Sequence, residues 1–115
     1  MLSFPSAVRI FLCSEPTDMR RSFDGLAKMV QEILHQNPLA GHLFVFINKR
    51  SDRTKLLYWD TDGFAIWYKR LEKGTFTLPA NVAPDHQLSP RTLSMLLEGV
   101  DFKEVQLKKR FQLKK

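Results

Sequence analysis

Two acidic residues lie close enough in the sequence to bind a divalent cation together. Asp60 and Asp62 are separated by one residue, and Asp18 or Asp24 could join them in the folded chain. Carboxylates that share a metal ion are typical of metal-dependent nucleases. Aspartate and glycine are also favoured in turns and at helix caps, so the segment 60–63 is equally typical of a turn. We favour the turn, and predict no catalytic residue, no metal and no cofactor.

Other catalytic patterns are missing from the residue order. The three histidines have no metal-ligand spacing and form no recognisable Ser-His-Asp or Cys-His arrangement. The five glycines stand singly, so no phosphate-binding loop is predicted. The sequence therefore predicts a protein that is not an enzyme.

Basic residues form three clusters, at 49–55, at 69–73 and in the C-terminal tail. Two tyrosines and two tryptophans lie between the first two clusters: Tyr58, Trp59, Trp67 and Tyr68. Basic side chains neutralise phosphates and aromatic rings stack on bases, so this pattern favours nucleic-acid binding. Aromatic residues at strand or helix spacing are also typical of a core, and the charges could instead be scattered over the surface. The candidate nucleic-acid-binding residues are Lys49, Arg50, Arg53, Lys55, Lys69, Arg70, Lys73, Lys108, Lys109 and Arg110.

Most of the positive charge lies at the C-terminal end. The chain has 115 residues and a formal net charge of +6. Residues 103–115 contain six basic residues and one acidic residue, a net +5, whereas the other 102 residues contain 12 basic and 11 acidic residues, a net +1. DNA binding by the body of the chain would therefore depend on local clusters of charge.

Length and composition limit the class of protein. A chain of 115 residues that is 43% hydrophobic is expected to form one globular domain. Its longest apolar run, 43–47, is far shorter than the roughly 20 residues of a membrane span. The single cysteine, Cys13, allows no internal disulfide, which is typical of a reducing compartment. We expect a soluble, cytoplasmic protein with no membrane partner.

An amphipathic helix is predicted after a short N-terminal strand at 8–12. Between Asp18 and Asn37 the apolar residues recur at intervals of three and four, which places them on one helix face. Thr17 or Asp18 would cap the first turn, and Pro38 would end the helix.

A β-hairpin is predicted in the middle of the chain. Two apolar runs, 43–47 and 55–59, flank the polar and basic segment 48–54. Nothing in this segment requires burial, so we expect a long basic tip that projects into solvent.

Two further helices are predicted in the C-terminal half. Residues 62–73 fit strand alternation and the helical template equally well, and we predict a helix because Asp62 could cap its start and Gly74 its end. An extended segment at 75–78 should follow. The segment 89–100 begins with a serine and a proline, which are typical of a helix cap and first turn.

The tail at 103–115 has apolar residues on most odd positions and polar or basic residues on even ones. This alternation is consistent with a last strand that has one apolar and one basic face. It is also consistent with a terminus that becomes ordered only on a partner. We predict one domain over 1–102, followed by this basic tail or edge strand.

Several motifs together resemble one known family. They are PTDMRRSFDGLA at 16–27, GHLFVF at 41–46, LYWD at 57–60, DGF at 62–64, WYKRLEKG at 67–74 and LSMLLEGVD at 93–101. In this order they resemble the TnpB-type accessory protein of the IS-sixty-six group of bacterial insertion sequences. The resemblance covers about residues 7–102, and the tail departs from the most familiar members. It implies a companion of a separate, larger transposase, and it supplies no agreed catalytic residues.

The sequence thus predicts an α+β single domain, with a small antiparallel sheet built on the central hairpin and about three helices packed on it. The predicted function is that of a non-enzymatic accessory factor for transposition that binds DNA at the element ends, the cognate transposase, or both. One alternative is an adaptor that contacts the transposase without touching DNA. The other is a metal-dependent nuclease that uses Asp60 and Asp62.

Overall fold

The computed structural model describes residues 7–80 and 82–99. In chain order the elements are β1 (Ile10–Leu12), α1 (Phe23–Glu32), β2 (Leu43–Ile47), β3 (Arg53–Asp60), β4 (Gly63–Arg70), β5 (Gln87–Leu88) and α2 (Pro90–Leu97). The predicted α+β class is confirmed, although the described residues form two helices instead of about three. The predicted tail or strand at 103–115 lies outside the described residues. Neither helix of the described part is long and apolar enough to cross a bilayer.

The five strands form one mixed sheet in the order β4-β3-β2-β1-β5. The predicted hairpin is confirmed as β2 and β3, which pair antiparallel from Leu43 opposite Tyr58 to Ile47 opposite Thr54. The prediction of a purely antiparallel sheet is wrong, because β1 pairs with β2 in parallel. The chain leaves β1, passes through α1 and returns as β2, and such a crossover sets two neighbouring strands in the same direction.

Both faces of the sheet are buried, each beneath one helix. On the first face, which we call the α1 face, Leu26 and Val30 of the helix pack in a cluster with Phe44 and Phe46 of β2. On the second, the α2 face, the helix packs with the strands through a cluster that includes Leu96, Phe76, Val45, Leu12 and Leu56. Strand β2 lies in the middle of the sheet and all five of its residues are buried. This explains its uninterrupted apolar sequence, since a strand covered on both faces has no solvent side.

The predicted helix at 62–73 is wrong, because the chain forms strand β4 there. A two-residue turn leads from Asp60 to Gly63, and β4 then pairs with β3 along its full length. Its side chains alternate between the two sheet faces, so Ile66 lies in the α1-face cluster and Trp67 in the α2-face cluster. Because both sides are partly buried, apolar residues occur at consecutive positions and imitate the spacing of a helix.

The first helix begins later than predicted, and the last helix begins where predicted. Thr17 and Asp18 do not cap α1, whose N-cap is Ser22 and has no side-chain capping bond. Asp18 instead accepts a hydrogen bond from the backbone N–H of Arg20, at 2.9 Å, within a turn that precedes the helix. The serine cap of α2 is confirmed, because Ser89 Oγ accepts the backbone N–H of Thr92 at 3.1 Å.

Candidate nucleic-acid interface

The tip of the β2–β3 hairpin, residues 48–52, is a loop organised by Asn48. Its side-chain Oδ1 accepts the backbone N–H groups of Asp52 and Arg53, both at 3.0 Å, while its Nδ2 donates to Asp52 Oδ1 at 2.7 Å. Asparagine often folds a loop by bonding to nearby backbone in this way. The bond to Asn48 and the charges of the neighbouring arginines lower the pKa of Asp52. Lys49 and Arg50 occupy the two exposed positions between these anchors.

Strands β3 and β4 change from apolar to cationic as they approach this tip. On the α1 face, Leu57 lies opposite Ile66, the next pair is Lys55 opposite Tyr68, and the last is Arg53 opposite Arg70. Like charges directly opposite each other on a sheet are destabilising unless something neutralises them. Arg70 forms a salt bridge with Glu72 at 2.9 Å, whereas Arg53, Lys49 and Arg50 form none with any described residue.

The segment that precedes α1 forms the opposite wall of this region. Asp18 and Arg20 form a salt bridge of 2.6 Å, with both side chains largely in solvent. The hydrogen bonds and charge of Arg20 lower the pKa of Asp18 to about 2, so its carboxylate is ionised at neutral pH. The segment is tied to the sheet by the backbone N–H of Thr17, which donates to the carbonyl of Ile47 at 2.9 Å.

Between this segment and the hairpin tip lies an open cavity of about 460 Å³, which we call the cationic cleft. Its charged lining residues are Asp18, Arg20, Lys49, Arg50, Asp52 and Arg53. Four cations against two carboxylates leave a local charge of +2, and the half-exposed ring of Tyr68 completes the lining. Such a cleft can attract and bind a polyanion.

Lys55 was predicted to bind nucleic acid, but the structure gives it another position. The residue is only 9% exposed, and its Nζ donates to the carbonyl oxygens of Met19 at 2.7 Å and of Arg21 at 2.8 Å. The same ammonium lies 4.9 Å from the centre of the Tyr68 ring. Because its hydrogen bonds are already made within the protein, Lys55 positions the wall of the cleft instead of projecting from it.

The second predicted cluster, at 69–73, is divided between different sites. Lys69 lies on the α2 face, where its Nζ donates to the carbonyl of Leu97 at the end of α2, at 2.7 Å. A cation at this place satisfies a free carbonyl and complements the helix dipole. Lys73 is exposed, and its segment lies beside the hairpin tip because the N–H groups of Leu71 and Phe76 donate to carbonyls of the tip loop. Arg70 alone of this cluster joins Arg53 on the α1 face.

Three predicted residues of the tail, Lys108, Lys109 and Arg110, lie outside the described residues. The structure therefore unites Lys49, Arg50, Arg53 and Arg70 at one end of the sheet. It adds Arg20, which is not among the predicted binding residues, and Tyr68, which the sequence offers only as one of the aromatic residues between the basic clusters. Arg20 belongs to a family motif, and the spacing of Tyr68 two residues before Arg70 is the signal that could have placed it on the same strand face.

The acidic pair lies at the opposite end of the same hairpin. Asp60 ends β3, and Asp62 belongs to the two-residue turn into β4. The predicted turn at 60–63 is therefore confirmed. The eight residues of β4 separate this turn from Arg70, a distance of roughly 25 Å for an extended strand. In the described ranges, no group of three or more histidine, cysteine or acidic residues could hold a metal ion.

The two tryptophans that lie between the first two basic clusters in the sequence are part of the core margin. Trp59 is half-buried and its ring packs edge-on against Phe64, with centroids 5.1 Å apart. Trp67 is half-buried against the α2-face cluster. The large apolar side chains with the greatest exposure in the described part are instead those of Phe23, Leu39, Tyr68 and Leu78.

The fold and the cleft define a small α+β protein with a cationic surface at one end of its sheet. Residues 8–107 match the family model described as IS66 Orf2 like protein, and the chain belongs to that family. This confirms the resemblance found in the motifs.

Two relatives come from Sinorhizobium fredii (strain NBRC 101917 / NGR234). Uncharacterized protein y4hO is 39% identical over 106 residues, which cover 92% of this chain and 92% of the relative. Uncharacterized protein y4jC is 35% identical over 108 residues, which cover 94% of this chain and 92% of the relative. No solved structure matches the chain.

Proposed function

We propose that this protein is a non-enzymatic accessory factor for DNA transposition of an insertion sequence, and that it binds DNA at the element ends through the cationic cleft. Membership of the IS66 Orf2-like family supports the link to transposition. The observation that carries the DNA-binding part is a group of three cations, Lys49 and Arg50 on the hairpin tip and Arg53 at the adjoining start of β3. They form no salt bridge with any described residue.

These three residues suit a phosphate backbone for electrostatic reasons. Each cation that contacts a phosphate releases condensed counterions, and this release favours binding at low salt. Arg20 and Arg70 lie beside them but are paired with Asp18 and Glu72, so they would contribute less unless DNA displaced their partners. The non-enzymatic part of the proposal is supported by the acidic pair, which serves a turn far from the cations.

The test is the salt dependence of binding to a duplex that carries the element's terminal sequence. A variant with Lys49→Gln, Arg50→Gln and Arg53→Gln should reduce the slope of log affinity against log salt by about 2 to 3, because each lost phosphate contact lowers it by about 0.9. The control replaces the exposed Arg9, Lys28 and Arg91 with glutamine, which removes the same formal charge. None of the three lines the cleft, and Lys28 is paired with Glu32. Equal slopes for the two variants would refute binding at the cleft.

The tail remains a second predicted source of DNA affinity. The contribution of the tail is measured by replacing Lys108, Lys109 and Arg110 with glutamine in the full chain. The readout is again the slope of log affinity against log salt. If only this variant lost affinity, the tail and not the cleft would be the binding site.

A protein-interaction adaptor for the cognate transposase is the second candidate. It is favoured by β4, which is an eight-residue strand at the edge of the sheet whose outer side pairs with no described strand. Such an edge can accept a strand from another protein. Purified transposase should then be retained by this protein after nuclease treatment. Loss of retention once DNA is removed would leave DNA as the only link between the two proteins.

A further inference from the structure

Tyr68 lies between two adjoining cavities at the cationic end of the sheet. One is the cationic cleft, and the other is a cavity of about 330 Å³ lined by Arg53, Tyr68, Arg70 and Glu72. Arg53 and Tyr68 line both cavities. The tyrosine is 48% exposed, so its ring is a partly open surface, and the pair Arg53 and Arg70 lies next to it on the side of the hairpin tip.

The ring is held in place from within the protein. The ammonium of Lys55 lies 4.9 Å from the ring centre and is itself bound to the carbonyls of Met19 and Arg21. The backbone position of Tyr68 is fixed by its pairing with Lys55 across β3 and β4. A ring that is already ordered loses little conformational freedom when a ligand stacks on it.

The surrounding charges are those that a nucleic-acid backbone would neutralise. Arg53 and Arg70 lie directly opposite each other next to Tyr68, and Glu72 forms a salt bridge with Arg70. A phosphate between the two guanidinium groups would relieve their repulsion. A base attached to that phosphate would lie within reach of the tyrosine ring.

Stacking on Tyr68 requires a base whose face is accessible. In duplex DNA the base faces are covered by their neighbours, whereas a single strand offers them to aromatic side chains. We propose that the cationic cleft binds single-stranded DNA, with an unpaired base stacked on Tyr68 and adjacent phosphates contacting Arg53 and Arg70. This inference rests on the DNA binding proposed above and assigns it a substrate class.

The test compares a fluorescent oligonucleotide of about 15 nucleotides from the element end, as a single strand and as a blunt duplex, by anisotropy with the full chain. The wild type should bind the single strand more tightly. Tyr68→Ala and Tyr68→Leu should weaken single-strand binding by about 5- to 150-fold, since stacking on an aromatic side chain contributes about 1–3 kcal/mol per base. Both should change duplex binding by less than about twofold.

Two controls separate stacking from folding and from general apolar contact. Tyr68→Phe keeps the ring and should retain single-strand affinity within about twofold. Leu39→Ala removes another exposed apolar side chain, away from both cavities, and should have no effect. Circular dichroism of each variant checks that it is folded. If Tyr68→Ala does not fold, Tyr68→Leu replaces it in the test, because leucine keeps an apolar side chain of similar bulk at this position.

The outcomes distinguish this inference from the proposed function. Equal binding of the two DNA forms, with no loss in Tyr68→Ala, would overturn single-strand stacking. If the triple variant at Lys49, Arg50 and Arg53 still lost affinity in that case, DNA binding at the cleft would stand. No binding of either form by the wild type at low salt would overturn both.

Discussion

Replacing Lys55 with methionine should destabilise the protein without removing a DNA contact. Hydrogen bonds from a charged donor stabilise by about 1.5–3 kcal/mol each, and Lys55 makes two, at 2.7 and 2.8 Å. The contact with the Tyr68 ring adds about 0.5–1 kcal/mol. Methionine keeps the apolar stem and avoids burying an ammonium group, which offsets part of the loss. Together these contacts amount to about 3.5–7 kcal/mol, and an offset of about half leaves an expected fall in the free energy of unfolding of about 2–3 kcal/mol.

Urea unfolding followed by far-UV circular dichroism measures this change. A loss of 2–3 kcal/mol should lower the midpoint by about 1–2 M, given the usual dependence of unfolding free energy on urea. Lys49→Met is the matched control, because Lys49 is exposed on the same hairpin and forms no salt bridge with a described residue. Its free energy of unfolding should change by less than about 0.5 kcal/mol.

The same two variants should behave in the opposite way in DNA binding. Under conditions where both are folded, Lys49→Met should lower the salt slope by about 0.9, and Lys55→Met should leave the slope unchanged. A Lys55→Met variant as stable as the wild type would refute the structural role of Lys55. A Lys55→Met variant that lowers the salt slope as Lys49→Met does would refute it equally.

Four smaller predictions concern Asp18, Ser89 and Thr61. Asp18→Asn should free Arg20 and raise the salt slope of DNA binding by up to about 0.9, and weaker binding would contradict this. The pKa of Asp18 is lowered from 3.8 to about 2 in the folded protein. The ionised carboxylate, paired with Arg20, therefore stabilises the fold above about pH 4, and this contribution is lost as the pH falls towards 2. The stability difference between wild type and Asp18→Asn should therefore shrink over that range. Ser89→Ala should lower the free energy of unfolding by about 0.5–2 kcal/mol in a denaturant titration, because it removes the acceptor for the N–H of Thr92, and an unchanged value would argue against the cap. Thr61→Asn should raise the melting temperature slightly, because Thr61 has a φ of 56 degrees, in the left-handed region that asparagine tolerates better than threonine, and a lower melting temperature would contradict this.

The parts of the fold with local signals could be predicted from the sequence. The serine and proline at 89–90 mark the start of α2, and the apolar runs around 48–54 mark the central hairpin. The first helix could be found from its apolar spacing, but its start could not. Residues 18–21 are held outside the helix by the turn at Asp18 and by the bonds from Lys55, which is more than 30 residues away in the chain.

The parts that depend on distant segments could not be predicted. Whether 62–73 is helix or strand is decided by β3, which offers a free edge along eight residues. The parallel pairing of β1 with β2 follows from where α1 packs, and no local pattern carries that information.

The candidate site was predicted only in part, for the same reason. The cations at the tip were identifiable because they lie in a polar segment between two apolar runs. The expected long tip at 48–54 is wrong, because β3 begins at Arg53 and Thr54 is buried. Lys55 and Lys69 are also basic, but they lie farther from the tip along their strands. Lys55 binds the backbone of the segment that precedes α1, and Lys69 binds a carbonyl at the end of α2. Depth and face within a sheet depend on the neighbouring strands and helices, so composition alone could not separate these lysines from Arg53.

The most direct test of DNA binding at the cationic cleft is a ¹H-¹⁵N correlation spectrum of the full chain titrated with single-stranded element-end DNA. Amide shifts should concentrate in three segments, 17–21, 48–53 and 68–72, which meet at one end of the sheet. The turn at Asp60 and Asp62, at the other end of the same hairpin, serves as an internal control and should not shift. Shifts centred on that turn, or confined to residues beyond 99, would contradict the account.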